Sequence, residues 1–512
     1  MNWTTFGALL SLAVLPAAEA ATNCEDLKRL NLSGASITAV QPVPAGEFTP
    51  PEGRAIPNVP AFCRLAITLM PSSDSDIRLE VWLPLSNWNN KFQGIGNGGF
   101  AGSIGYGGMA NAISHGYATA STDTGHRAEG TDASWAYHHP EKTIDFGYRA
   151  IHEAAVTAKA VISAFYGDAP RQSYFNSCSN GGRQALMEAQ RFPADYDGII
   201  AGAPANYWTH LMTSFIFDMQ ATAADSATYI PAVKLRAIEA AALAACDSAD
   251  GVKDGVIENP AQCRFDPAVL LCKGAESDAC LTAPQLDALK KIYAGPRDSK
   301  GAPILPGFSS GGEAEQGGWA TWITGAAPGQ STQMAFGVSF FKYIVYNDPA
   351  WDYKTSTAEH DAKLADDEAA GVFNATDPDL RKFKDRGGKL ILYHGWSDAA
   401  IPALNTIDYY QSVVRKMGAK DAAGFVRLYL VPGMQHCGGG AGPSTFGQGG
   451  VAQDDPQQNI DAALERWVEQ GTAPREVIAR GAGRTRPLCP YPQTARYTGT
   501  GSTDDAASFV CK

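Results

Sequence analysis

Beyond a short N-terminal leader, the 512-residue sequence lacks any stretch approaching the roughly 20 consecutive apolar residues that a membrane span needs, so no spanning helix is predicted. It also lacks a run of Lys and Arg. With 41 basic against 53 acidic side chains, a formal charge of −12, there is no positive field for a nucleic acid or an anionic membrane, and the excess acid reads as a solvated surface. No Cys-x-x-Cys pair and no histidine cluster at ligand spacing occurs, which argues against a zinc centre. What is present, 45% hydrophobic and 18% charged residues, suffices for a large core in one elaborate domain or in a domain carrying a big insertion.

The leader reads as an export signal. Phe6 to Leu15 is apolar, Pro16 breaks it, and Ala18-Glu19-Ala20 places small residues where a signal peptidase reads, although no Lys or Arg precedes the apolar stretch. Residues 1–20 are therefore expected to be removed near Ala20, and the mature protein to be secreted or periplasmic. Ten cysteines, an even number, suit that compartment as disulfides. Sequence alone leaves many connectivities open. Proximity suggests Cys24–Cys63, Cys246–Cys263, Cys272–Cys280 and Cys489–Cys511, which leaves Cys178 and Cys437 for each other. That last pair has a chemical consequence, because Ser179 follows Cys178 and His436 precedes Cys437. A disulfide holds its two Cα atoms roughly 5.5–6 Å apart, so it would staple a nucleophile beside a base.

From about Cys63 to Ala205 the chain alternates strand and helix signals. Ile77–Leu83, Lys91–Ile95 and Tyr117–Ser121 read as strands, and Asp145–Tyr166 as an amphipathic helix with Ile151, Ala155, Ala158 and Ile162 at helical spacing. Gln172–Asn176 then runs as a strand into Ser177-Cys178-Ser179-Asn180-Gly181-Gly182, and a helix follows to Gln190. Strand, sharp turn with a serine at its apex, helix: this is the grammar of a nucleophile elbow, although Ser177 stands where its first glycine is usual. From about Asn206 to Asp385 the βα alternation stops, which predicts an inserted lid. It resumes with the buried-strand run Gly387–Tyr393, whose exit loop carries Asp398, then a helix over Ala403–Met417 and a strand over Arg427–Val431, whose exit loop carries His436.

Ser179, Asp398 and His436 occur in the chain order of α/β-hydrolases, at strand ends where loops gather on one sheet edge. Asp408 is a rival acid, but it falls inside the predicted helix. The other histidines, His115, His126, His138, His139, His152, His210, His360 and His394, all precede Asp398. An oxyanion would need fixed N–H donors: the backbone of Asn180, and a second from Gly96-Asn97-Gly98-Gly99, with Gly98 and Gly99 both open. Trp319, Trp322, Phe336, Phe340, Phe341, Tyr343 and Tyr346 offer aromatic surface for a substrate ring. The helical spacing of Phe336, Phe340 and Tyr343 marks most of them as core.

Cys178-Ser179-Asn180-Gly181-Gly182, Asp398, His436-Cys437 and Tyr196–Pro204 together resemble the tannase and feruloyl esterase family over most of the mature chain. The resemblance implies an α/β fold: an α/β-hydrolase core built from residues 21–205 and 386–512, with a large lid inserted at 206–385. It also implies a disulfide joining the cysteines beside the serine and the histidine. The activity it implies is a serine esterase that works through an acyl-enzyme on small aromatic or plant-polymer-derived esters. Feruloyl esters come first, a tannase or a mono(2-hydroxyethyl) terephthalate hydrolase second, and a non-catalytic binding protein on the same scaffold last. In the predicted lid, Asp247, Asp250 and Asp254 with Gly251 and Gly255 give hard oxygen donors at a density that suits Ca²⁺. Ala249 and the register of the acids exclude an EF-hand. The resemblance implies a structural ion held by the side chains of Asp247, Asp250 and Asp254 and the carbonyls of Val252 and Val256.

Overall fold

Alternating apolar side chains and short buried runs assemble into one nine-stranded sheet in the computed structural model, which describes residues 23–223, 225–448 and 455–512. The expected export signal over residues 1–20 lies outside the described residues. In chain order the strands are β1 (Ala35–Val43), β2 (Phe62–Leu69), β3 (Ile77–Pro84), β4 (Lys91–Ile95), β5 (Ala118–Thr122), β6 (Gln172–Cys178), β7 (Gly198–Gly202), β8 (Lys389–Gly395) and β9 (Val426–Val431). Their order across the sheet is β1-β2-β3-β5-β4-β6-β7-β8-β9. The first three strands and β5 pair antiparallel, and every pair from β5–β4 to β8–β9 is parallel. This is the mixed sheet of an α/β-hydrolase fold.

The two-residue period of a strand decides which helix each side chain meets. Phe175, Ile199, Leu390 and Leu392 pack into one core with α2 (Ala150–Tyr166), α3 (Asn180–Arg191) and α7 (Ala403–Met417). Their neighbours Tyr174, Ile200, Ile391 and Tyr393 face the opposite core, which holds Ala112 of α1 (Tyr106–Ser114) and Ile460, Leu464 and Trp467 of α8 (Ile460–Gln470). Parallel strands buried on both faces explain why β7 and β8 read as unbroken apolar runs.

The expected helix over Asp145–Tyr166 starts earlier than its apolar spacing suggests. A turn over Pro140–Ile144 precedes it, and Asp145–Arg149 forms a π-helical bulge. Such bulges are rare and frequently lie at functional sites, and this one has a partner outside the helix. Here the partner is Arg183 of α3, fully buried, whose guanidinium donates to the carbonyls of Phe146, Gly147 and Phe373 and to Asn180 Oδ1. Its guanidinium also lies 5.0 to 5.9 Å from the ring centres of Phe146, Trp208 and Phe373. Burial pulls the guanidinium down to about 9.

Between β7 and β8 the described residues form helices, among them α4 (Trp208–Ala223), α5 (Thr332–Phe340) and α6 (Ala358–Phe373), joined by two isolated bridges rather than strands. This segment shares a core with the sheet-edge loops, in which Trp208, Phe215, Phe336 and Phe373 pack with Phe100, Phe146 and Ile401. The five disulfides are Cys24–Cys63, Cys178–Cys437, Cys246–Cys263, Cys272–Cys280 and Cys489–Cys511. No helix among the described residues is long and apolar enough to cross a membrane.

Replacing Arg183 by Met keeps the stem and removes the donors. Removing the hydrogen bonds to the Phe146, Gly147 and Phe373 carbonyls and to Asn180 Oδ1 is expected to lower the unfolding free energy by about 2–3 kcal/mol, measured by denaturant titration.

Candidate active site

The turn between β6 and α3 is forced. Ser179 has φ 69° and ψ −127°, a left-handed conformation that a residue with a Cβ avoids, at a typical cost of about 1–3 kcal/mol. Several hydrogen bonds hold it there. Its N–H donates to Gly202 O at 2.9 Å, and its carbonyl accepts from Arg183 N and Ala205 N. The glycines that follow are needed for space, since a Cβ on Gly181 would overlap Ser177 Oγ and one on Gly182 would overlap Gly202 O. The strain turns Ser179 Oγ toward the loops at the sheet edge.

Those loops bring the three sequence candidates together. Ser179 Oγ lies 2.9 Å from His436 Nε2, and His436 Nδ1 lies 2.8 Å from Asp398 Oδ2. A carboxylate only accepts, so Nδ1 carries the hydrogen toward Asp398 and Nε2 is left to accept from the serine hydroxyl. The Cys178–Cys437 bond, Cα–Cα 6.0 Å, clamps the elbow to the histidine loop. Asp398 Oδ1 accepts from the N–H groups of Ala400 and Ile401. Burial would push this carboxyl up, but the charges and hydrogen bonds of His436 and His394 outweigh it and hold the group well below the usual carboxylate range. The rival Asp408 is exposed on α7.

A cleft with about 290 Å³ of free space, part of it open to solvent, lies over the serine. Gly99 and Asn180 line it beside Ser179 and His436, whereas Gly98 is not among the lining residues. The sequence left the two glycines equal. Gly99 is placed by its neighbours: it has φ 56°, a Cβ there would overlap Gly130 O, and Phe100 N donates to that same carbonyl at 2.7 Å. Asn97 and Gln184 lock the loop to α3 through reciprocal bonds of 2.9 and 3.1 Å, and Asn97 Nδ2 also donates to Ser103 O and Thr122 O. His126 Nε2 donates to Phe100 O at 2.7 Å, and burial pulls its imidazole down to about 4, which keeps the ring neutral.

The rest of the cleft is apolar: Trp208, Leu211, Met212 and Phe215 of α4, Phe336 of α5, Trp322, Ala400 and Ile401. Trp322 stands edge-on to His436, ring centres 5.2 Å apart, and is parallel to Phe336 at 6.2 Å. Of the aromatic set read from the sequence, Trp322 and Phe336 reach the cleft. Trp319, Phe340 and Phe341 are buried in the helical cores, and Tyr343 and Tyr346 are half-buried outside the lining. The α4 residues were missed. Trp208, Leu211, Met212 and Phe215 stand at i, i+3, i+4 and i+7, a visible stripe that reads as ordinary core until the tertiary structure opens a cavity beside it.

The acidic loop is more mixed. Asp247 Oδ1 and Oδ2 accept from the N–H groups of Asp254 and Gly255, and Asp250 Oδ1 accepts from Val252 N. Asp254 Oδ2 is 2.8 Å from Arg484 and 2.6 Å from Arg486. Among the described residues no three His, Cys, Asp or Glu side chains converge as a metal site. Asp250, Asp254, Val256 and Glu258 nevertheless line one small cavity with Arg486. The donor types suit Ca²⁺, provided Asp254 turns away from the two arginines.

With this geometry in view, comparison with known proteins is specific. Residues 63–512 match the family described as tannase and feruloyl esterase. An esterase of Xanthomonas campestris is 44% identical over 98% of this chain and 92% of its own length. Mono(2-hydroxyethyl) terephthalate hydrolase of Piscinibacter sakaiensis is 36% identical over 73% of this chain and 69% of its own. The crystal structure of feruloyl esterase B from Aspergillus oryzae superimposes with a TM-score of 0.89 at 33% identity, covering 96% of this chain and 99% of that one.

An organophosphonate that reacts only with an activated serine should modify Ser179, located by peptide mass spectrometry, and leave Ser179→Ala unmodified. Replacing Cys178 and Cys437 together by Ala should slow the labelling on the order of 10–100-fold, since small misplacements of reacting groups have large effects on rate.

Proposed function

The chain belongs to the tannase and feruloyl esterase family and is a carboxylic ester hydrolase, and from that premise we propose that it cleaves esters of aromatic acids, feruloyl esters foremost, through Ser179, His436 and Asp398. The observation that carries the reading is the unbroken line of hydrogen bonds from Ser179 Oγ through His436 to Asp398, at the mouth of an apolar cleft.

In this mechanism Ser179 Oγ attacks the ester carbonyl carbon while His436 Nε2 takes its proton. The oxyanion settles between the backbone N–H groups of Asn180 and Gly99, where one such donor is typically worth on the order of 10²–10³ in rate. Asn180 opens α3, so the helix dipole adds to its N–H. When the tetrahedral intermediate collapses, the C–O bond to the alcohol breaks and His436 returns the proton to that oxygen. Water then repeats the sequence on the acyl-enzyme, giving up a proton to His436 and releasing the acid with Ser179 restored. Asp398 fixes the imidazole tautomer and balances the imidazolium formed in each half.

The cleft favours an acyl group without charge. Its lining supplies Trp208, Phe215, Trp322 and Phe336 to flank a ring, and apart from His436 the lining has no ionisable side chain. A terephthalate half-ester would have to bury its free carboxylate there without a counter-ion, which is strongly unfavourable. Trp322 and Phe336 come from the segment between β7 and β8, which supports its assignment as a lid closing over the substrate. Five disulfides suit export to an oxidising compartment. Asp247, Asp250 and Asp254, with the Val252 and Val256 carbonyls, are the oxygen donors proposed for a structural Ca²⁺. The ion would tie the Cys246–Cys263 loop and has no part in the ester chemistry.

Rates on methyl ferulate, methyl gallate and mono(2-hydroxyethyl) terephthalate are expected to fall in that order, and all to vanish in Ser179→Ala. Equal rates for wild type and variant would remove the esterase mechanism, and a preference for the terephthalate half-ester would overturn the neutral-ring argument. For the ion, millimolar Ca²⁺ added to chelator-treated protein is expected to raise the thermal midpoint by several degrees, because a ligand bound only to the folded state stabilises it. Asp250→Asn should abolish the rise.

A further inference from the structure

The rejected histidine at the end of β8 has a place in this site. His394 is fully buried, and its Nε2 lies 3.0 Å from the carbonyl of Ile401 and 3.2 Å from Asp398 Oδ2. A carbonyl oxygen only accepts, so Nε2 carries a hydrogen, and that hydrogen is shared with the carboxylate. On the other side of the ring Nδ1 is 2.8 Å from Thr406 Oγ1 of α7, a hydroxyl that can pair with the ring nitrogen in either protonation state. With Ala400 N and Ile401 N on Oδ1, and His436 Nδ1 and His394 Nε2 on Oδ2, Asp398 has four donors for its four lone-pair positions.

We propose that His394 is a positioning residue: its Nε2–H completes a four-donor cradle that fixes the rotation of the Asp398 carboxylate, so that Oδ2 stays aimed at His436 through both halves of the reaction. The inference rests on the role given above to Ser179, His436 and Asp398. His394 touches neither substrate nor serine and acts only through Asp398. Both of its ring nitrogens are committed, to the loop on one side and to α7 on the other, so the ring has one orientation. The carboxylate inherits that orientation.

The titratable groups around the cradle are few. They are Asp398, His394 and His436, with the Tyr393 phenol on β8, whose ionisation is opposed first by burial and then by the charges of Asp461 and Asp398. The contacts from α7 and the lid are Thr406 and Trp322, neither ionisable. Removing one donor therefore has a defined direction. The Asp398 carboxylate becomes more basic, binds the His436 imidazolium more strongly, and moves the acid limb of kcat/KM to higher pH.

His394→Leu removes the donor, and His394→Gln returns an amide N–H at the distal position. On methyl ferulate, His394→Leu is expected to lose on the order of 10–100-fold in kcat, the range seen when an outer partner that orients a reacting group is removed, with KM within about twofold. Its acid limb should shift upward, and His394→Gln should recover most of kcat and the wild-type limb. Wild-type kcat with an unmoved limb in His394→Leu overturns the proposal. So does an equal loss in both variants that follows a common fall in thermal midpoint. If His394→Leu does not fold, Thr406→Val, which frees the ring while keeping Nε2, should lower kcat at unchanged KM, and wild-type kinetics there count against the cradle. Failure of the underlying esterase reading is distinguishable, because it would appear as equal rates in wild type and Ser179→Ala.

Discussion

The bond between Cys178 and Cys437 is the constraint on which the site depends. It joins residues 259 apart in sequence and lies one residue from the serine on one side and one residue from the histidine on the other. In chain-entropy terms a cross-link over so long a loop disfavours the unfolded state by about 5 kcal/mol. Its local effect matters more for chemistry. A proton relay needs its heavy atoms within hydrogen-bonding distance, and the covalent link limits how far the two sheet-edge loops can move apart. Ser179 and Cys437 both have positive φ, so backbone strain is concentrated on the two sides of the clamp. Strain of that kind persists only where the surroundings over-determine it. Here the disulfide, the Gly202 carbonyl and the close-packed glycines of α3 do so.

Around the clamp, burial and hydrogen bonding set the charge state of each group. Asp398 is buried yet stays ionised because its donors outweigh the loss of water. His126 is buried with only a backbone acceptor for Nε2, so it stays neutral and serves as a strut for the Phe100 end of the glycine loop that lines the cleft. Arg183 has carbonyls and ring faces for partners rather than an acid, and ties the elbow helix to the π-bulge and to the end of α6. The same low dielectric that makes an unpaired group expensive makes each satisfied one directional. Polar groups therefore hold Ser179, His436 and Asp398 in place, while the cleft beside them is walled by apolar side chains.

Much of this was legible in the sequence, for identifiable reasons. Strands β3, β4, β6, β8 and β9 announce themselves by period or by apolar runs, and α7 was readable to its ends because Pro402 and Gly418 bound it. The elbow was readable because its turn needs glycine at adjacent positions. Other features carry no local signal. The π-bulge over Asp145–Arg149 is set by an arginine more than thirty residues away in sequence. Phe336 has the same helical spacing as Phe340, and only the fold decides that Phe336 and Trp322 meet the cleft while Phe340 does not. Gly98 and Gly99 are adjacent and chemically identical, and Gly130 decides between them. His394 was set aside because it precedes Asp398 in the chain, and chain order says nothing about distance.

Sequence by itself determined the strand-turn-helix grammar at Ser179 and the order serine, acid, histidine, because these depend on local backbone sterics and chain order, and it suggested without fixing the short-range cysteine pairs. The tertiary structure alone decided which glycine lines the cleft beside the serine, which aromatic rings form its wall, and that a second histidine lies 3.2 Å from Asp398. Those choices depend on distances between segments that meet only when the sheet closes and both of its faces are covered.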